Sequence, residues 1–359
     1  MSAGGKKVLV QAPVVGIDLG LKASRVAVQR NDNIEVIANP DGNHSTPSVI
    51  SFNDAEILVG DVALASAATN PTNTVVECKR MLGATAAELD SDIKRWKFAV
   101  GTSKEGKSAA KVQYKNASTT FTGEQLCGHI IANLKASAEA YVHDNVKFCV
   151  LTAPAFFTDK QRAALADAAS SVGLLVLRVI SDPVAAAIAY GLDKEDQEDA
   201  TVAVFSMGAR TCEVAVLQTR GGLLNQIGAA SDHSIGGDVV MEIITNWCMD
   251  EFKKKHKMDP RESKKSVERF KKACDLAKKQ LSQAPQVRIE VESAHEGVDF
   301  SVMLSALKMN DLISPVLRGA CVCHATRGFR PCPLHSPPFH IQCCAQCLCP
   351  WFYIMYMLA

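Results

Sequence analysis

A chain of 359 residues is long enough for two or three domain-sized units. Its 47% hydrophobic and 21% charged residues describe a globular protein, and 39 basic against 38 acidic side chains leave a net charge of +1, which excludes bulk attraction to nucleic acid or to a membrane surface. No run of about 18 apolar residues marks a membrane span, and the opening MSAGGKKVLVQAPVVG lacks the apolar core of a secretion signal, so the expected compartment is the cytoplasm.

Residues 1–13 read as an N-terminal extension. Residues 14–28, VVGIDLGLKASRVAV, read as two β-rich runs joined by a turn, with Asp18 ending the first run and Gly20 in the turn. Gly20 lets backbone amides approach a ligand, and Asp18 stands where a carboxylate would face a hydrated metal; an ordinary hairpin has the same pattern. A turn at Pro40, Asp41 and Gly42 leads to a strand after Pro47. Residues 70–83, NPTNTVVECKRMLG, are expected to form a short helix ending at Gly83, with Lys79 and Arg80 solvated in its last turn.

Residues 122–141 predict a long amphipathic helix with Leu126, Ile130, Ile131, Leu134 and Ala138 at helical spacing. A buried strand run over 148–157 is stopped by Pro154. Thr158 then caps a helix through Ala169, a strand covers 174–180, and Asp182 and Pro183 open the next helix. Residues 201–218, TVAVFSMGARTCEVAVLQ, repeat the opening logic of β-rich run, glycine turn and β-rich run. Superposing the turns puts Ser206 over Asp18 and Gly208 over Gly20. A duplicated α/β unit of this kind forms two lobes with a ligand cleft between them. Ile235, Gly236, Gly237 and Asp238 begin a helix to about Phe252, whose N-terminus is either an anion seat or a plain turn into a helix. In the basic stretch 253–279, Phe270, Ala273, Cys274 and Ala277 fall on one helix face with the lysines outside. Strands at 286–293 and 298–304 follow.

The segments GIDLG (16–20), NHSTPSVISF (43–52), NPTNTVVECKRMLG (70–83), TAPAFFTDKQR (152–162), VLRVISDPVAAAIAYGLDK (176–194), HSIGGD (233–238), EFKKKHKMD (251–259) and ACDLAKKQLS (273–282) together resemble the nucleotide-binding domain of the heat shock protein 70 chaperones. The resemblance covers roughly residues 14–317. It implies an α/β, actin-like ATPase fold of two lobes built from a duplicated β-hairpin/α unit, with ATP or ADP and Mg2+ in the cleft. Lobe I would span 14–195 and a partial lobe II 196–317. By the same resemblance Lys79 orients the attacking water, and Asp18 and Asp182 are the metal-side carboxylates, Asp182 replacing a glutamate. The phosphate cradle falls on Gly20, Leu21, Lys22 and Ala23 and on Gly208, Ala209, Arg210 and Thr211, with Gly236 and Gly237 beyond. The adenosine side falls on Asp275, Lys278, Lys279 and Ser282.

Departures from the family pattern cluster in the turns. Glycine–threonine–threonine becomes Gly20-Leu21-Lys22, the second catalytic aspartate becomes Ser206, and two of three turn glycines are replaced. The resemblance therefore implies an ATPase by descent with weak or lost hydrolysis. Lys22 and Arg210 would act as phosphate counter-charges in place of part of the magnesium; the alternative is that Arg210 blocks the pocket. Loops altered in this way also resemble the atypical, ribosome-associated branch of the family, in which the domain is a scaffold for a J-domain partner. Implied partners are a J-domain co-chaperone and a nucleotide exchange factor, with unfolded or nascent polypeptide only in a fuller form, and no direct nucleic acid or membrane.

Cysteine usage breaks near Arg318: six of the 13 cysteines are scattered through the first 318 residues, and seven crowd the tail. Residues 318–359 lack any period and any acidic residue, as translated non-coding sequence would, and are expected to be disordered. Cys321, Cys323, His324, Cys344, Cys347 and Cys349, with His335 and His340 nearby, leave a zinc reading open. With the family pattern stopping there, lobe II is expected to be incomplete.

Overall fold

The first hairpin is the centre of the first sheet. Its strands are β1 (Val14–Asp18) and β2 (Ala23–Arg30), and alternation sends Val15, Ile17, Val26 and Val28 into the core. The computed structural model describes residues 12–30, 33–194, 199–326, 340–343 and 355–358. The chain forms two compact units, Met1–Ala185 and Ala186–Ala359.

In the first unit, α1 (Gly123–Val142) precedes β3 (Phe148–Ala153), which pairs in parallel with β1. The crossover α2 (Asp159–Ser170) then leads to β4 (Leu175–Ser181), parallel to β3. The sheet order is β4, β3, β1, β2, with the strand Asn33–Val36 at the far edge. Both helices open with a capping box, Thr122 with Gln125 and Thr158 with Gln161, so the first amides are satisfied without solvent. The buried face of α1 is Leu126, Ile130, Ile131, Leu134 and Ala138, as its spacing predicts. Each of the four larger side chains contributes roughly 1.5–3 kcal/mol by burial.

Residues 70–83 do not form the expected helix. A 3-10 turn at Pro71–Asn73, a strand Thr74–Val76 paired with Val49–Phe52, and a second 3-10 turn at Cys78–Met81 take its place. Thr74, Val75 and Val76 are β-branched in succession, which favours the strand. Glu77 adopts the left-handed region at φ 54° and redirects the chain before Cys78.

The helix α3 (Asp182–Ala189) opens on Asp182. The second unit repeats the hairpin as β5 (Ala200–Met207) and β6 (Cys212–Arg220), continued by β7 (Leu223–Asp232). Asp18 lies opposite Arg25 in the first hairpin and Ser206 opposite Glu213 in the second. Both partners lie the same distance along the chain, so Ser206 is the register counterpart of Asp18. Two helices follow, α4 (Gly237–His256) and α5 (Lys264–Gln280), then the hairpin β8 (Gln286–His295) and β9 (Val298–Ser305). Their core closes on the rings of Phe252, Phe270 and Phe300, with centroids 5.6–5.8 Å apart.

The last helix, α6 (Ala306–Thr326), runs past the composition break at Arg318 and contains Pro315. Two short tail strands, His340–Cys343 and Met355–Leu358, pair with each other, and the second pairs with β5. The tail cysteines and the zinc reading lie outside the described side chains. No helix among the described residues is long and apolar enough to cross a membrane.

Candidate functional site

In the first unit the residues expected to do chemistry converge at the ends of β1 and β3 and the start of α3. Register places Asp18 beside Thr152, and the Thr152 hydroxyl donates to Asp18 Oδ1 at 3.2 Å. Asp182 is half-buried, and its Oδ1 is shielded from solvent without a hydrogen-bond partner. Desolvation raises its carboxyl above the ordinary aspartate range, and the Asp18 charge adds to this. Lys79, Thr152 and Arg162 pull the other way without cancelling it.

Lys79 is not solvated. It is only 5% exposed, and its ammonium lies 5.6 Å from the centroid of the Phe157 ring. The 3-10 turn carrying it is held from both sides. Arg80 binds Asp92 at 3.0 Å, and Trp96 Nε1 donates to Glu77 Oε2 at 3.1 Å. Arg95 bridges Asp92 and Glu77. Arg80 is thus an anchor rather than a surface charge, and the turn between these anchors directs Lys79 inward.

The first turn is braced by Ser48, whose hydroxyl donates to the Gly20 carbonyl at 2.7 Å while its amide donates to the Lys22 carbonyl at 2.9 Å. A Cβ on Gly20 would sit 2.2 Å from the Ala23 carbonyl oxygen, so only glycine allows this turn. Leu21 and Ala23 are half-buried and Lys22 is exposed.

In the second unit the turn Gly208, Ala209, Arg210 and Thr211 closes through the Gly208 amide on the Thr211 carbonyl at 2.8 Å. It is sewn to the start of α4: the Gly237 amide donates to Gly208 at 2.9 Å and the Asp238 amide to Ala209 at 2.8 Å. The anion seat expected at Gly236 and Gly237 therefore has two of its amides bound to the turn, the geometry of the plain alternative. Arg210 is also engaged. Its Nη2 donates to Glu242 Oε1, and its Nε lies 3.9 Å from Asp238 Oδ2. The guanidinium expected as a phosphate counter-charge faces the acidic first turns of α4.

On α5, Lys278 donates to the Gly237 carbonyl at 3.3 Å, and Lys279 pairs with Asp275 one turn earlier at 2.7 Å. Asp275 Oδ1 is buried without a donor, an acceptor suited to a sugar hydroxyl; Ser282 follows the helix end. These residues fit the nucleoside part of ATP or ADP. A hard divalent cation fits less well. Asp18 is already bonded by Thr152 and faced by Arg25, and among the described residues no three His, Cys, Asp or Glu side chains form a metal-holding group. Thr152, Arg25 and Arg162 escaped the sequence reading. The length of the β1–β2 turn was the signal that identifies Arg25, since it fixes which residue faces Asp18.

A family model described as Hsp70 protein matches residues 14–325. A heat shock 70 kDa protein of Emericella nidulans is 40% identical over 310 residues, covering 86% of this chain and 48% of the relative. Heat shock 70 kDa protein 2 of Paracoccidioides lutzii is 39% identical over 309 residues, covering 86% and 47%. Heat shock cognate 70 kDa protein 3 of Dictyostelium discoideum is 37% identical over 325 residues, covering 89% and 51%. The chain spans about half the length of these relatives.

Proposed function

The chain belongs to the Hsp70 family, whose model it matches over residues 14–325 and whose actin-like ATPase fold it shares, and from that premise we propose that it is an ATP- or ADP-binding chaperone-family member with weak or lost hydrolysis, assisting protein folding in the cytoplasm. The observation that carries this reading is the cluster of Lys79, Asp18, Thr152 and Asp182 in the first unit, against serine at the register counterpart of Asp18 in the second. Lys79, buried beside the two carboxylates, would orient a water. Asp18 and Asp182 would receive its proton or order the solvent around the phosphates, and the turns at 20–23 and 208–211 would contact the phosphates. Asp275, Lys278, Lys279 and Ser282 would contact the nucleoside. Magnesium, where bound, would supply charge to the phosphates.

Losing the second catalytic carboxylate that the resemblance implies would leave the nucleophile poorly positioned. Calorimetric titration with ADP and with ATP tests binding, and no heat with either nucleotide would refute it. Single-turnover hydrolysis compares the wild type with Ser206→Asp, which should turn over faster. A second reading is a non-catalytic scaffold for a J-domain partner, on the ribosome or elsewhere. The bonds from α4 to the 208–211 turn favour it, because they order the turn without a ligand. Under that reading Ser206→Asp leaves turnover unchanged and the complex with the J-domain partner forms with or without nucleotide.

A further inference from the structure

The end of β1 carries a charge arrangement that the resemblance does not account for. Asp18 lies directly opposite Arg25 in the β1–β2 register. Arg25 Nη1 stands 3.8 Å from Asp18 Oδ2, with 18% and 30% of the two side chains exposed. The other carboxylate oxygen accepts the Thr152 hydroxyl at 3.2 Å. Both oxygens of Asp18 thus face groups of the protein itself. Strand register sets Arg25 opposite Asp18 on the same sheet face, so the guanidinium is within reach of the carboxylate without any change of backbone. A hydrated divalent cation needs anionic or neutral oxygen around it and is repelled by a guanidinium at this distance. The matching register position of the second hairpin holds Ser206, which has no carboxylate.

We propose that Arg25 is the resident counter-cation of Asp18, standing in for the divalent metal, so that this chain binds nucleoside di- and triphosphates with an affinity independent of magnesium. The proposal rests on the nucleotide-binding reading above. Arginine suits this place because its guanidinium is always charged and presents a planar fork of N–H donors to carboxylate or phosphate oxygens.

The test is calorimetric titration of the full chain with ATP, once with magnesium and once with excess chelator, in the wild type, Arg25→Ala and Arg25→Lys. The wild type and Arg25→Lys bind with affinities that agree within about threefold in the two conditions, while magnesium strengthens binding to Arg25→Ala by about tenfold or more. Tenfold strengthening by magnesium in the wild type, or the same ratio in Arg25→Ala as in the wild type, overturns the proposal and leaves the nucleotide reading standing. Absence of binding in every arm overturns the nucleotide reading instead. Electron paramagnetic resonance of Mn2+ alone then decides the charge arrangement: the wild type leaves the free-ion signal intact and Arg25→Ala diminishes it. Retention of Mn2+ by the wild type, or by neither chain, overturns the proposal. Circular dichroism establishes that each variant is folded.

Discussion

Gly236→Ala probes the joint between the second turn and α4. A Cβ there would lie 2.3 Å from the Ala209 carbonyl oxygen, 2.5 Å from its carbon and 2.6 Å from the Arg210 nitrogen. All three are backbone atoms, so the turn itself has to move. Gly236 sits at φ 173°, extended backbone that any residue adopts, and the penalty is therefore one of contact alone. Displacing the turn loses the hydrogen bonds from the Gly237 and Asp238 amides, about 1 kcal/mol each, and overpacking adds about 1–3 kcal/mol. The expected loss is about 3–5 kcal/mol, roughly two to four decades in the unfolding equilibrium of the second unit. Urea denaturation followed by circular dichroism measures it. Gly16→Ala is the control, because nothing lies within 4 Å of the Cβ it would add; its change should stay within about 0.5 kcal/mol. A Gly236→Ala chain that unfolds at the urea midpoint of the control would refute the contact argument.

Glu124 at the start of α1 is buried, which alone would raise its carboxyl; the Lys107 ammonium 2.7 Å away and its own backbone amide outweigh this and hold it below 4.5. A lowered carboxyl stabilises the fold above the unfolded value and loses that stability as pH falls through the folded value. Lys107→Met should therefore cost about 1 kcal/mol at neutral pH, discounted because Lys107 is 41% exposed, and the thermal-melt difference should shrink as pH falls through the folded value; a difference that stays constant from neutral pH into acid contradicts the pairing. Burial pushes the Cys149 thiol up to about 11 from 9.0, so at a given neutral pH its thiolate fraction falls about 100-fold. Maleimide labelling read by peptide mass mapping should spare Cys149 in the folded chain and modify it in urea; equal rates would rule out its burial. Thr122→Ala removes the hydroxyl that accepts the Gln125 amide at 3.4 Å and should destabilise α1 by about 1 kcal/mol in urea melts; an unchanged midpoint would mean that tertiary packing alone holds the helix start.

Much of the fold was legible from local pattern. The alternation in residues 14–28 and 201–218, the capping boxes at Thr122 and Thr158 and the helical spacing of Leu126, Ile130, Ile131 and Leu134 each express a rule of neighbours in sequence. The family, too, was legible, because eight segments keep their order. Residues 70–83 were misread because an apolar and basic alternation suits a helix as well as a strand followed by a turn. The deciding fact was the pairing of Thr74–Val76 with Val49–Phe52, more than twenty residues away in sequence.

The chemistry of the candidate site was set at longer range still. Whether Lys79 faces water or the interior depends on Asp92, Arg95 and Trp96, which hold its turn from outside. Whether Arg210 faces a phosphate or a carboxylate depends on Glu242, a full turn into α4. Sequence alone determined most of the elements, residues 70–83 excepted, and the family, since propensity, capping and periodicity act between near neighbours. Tertiary structure decided which charges meet, because Coulomb energy and desolvation depend on distances between residues that only strand register and packing bring together.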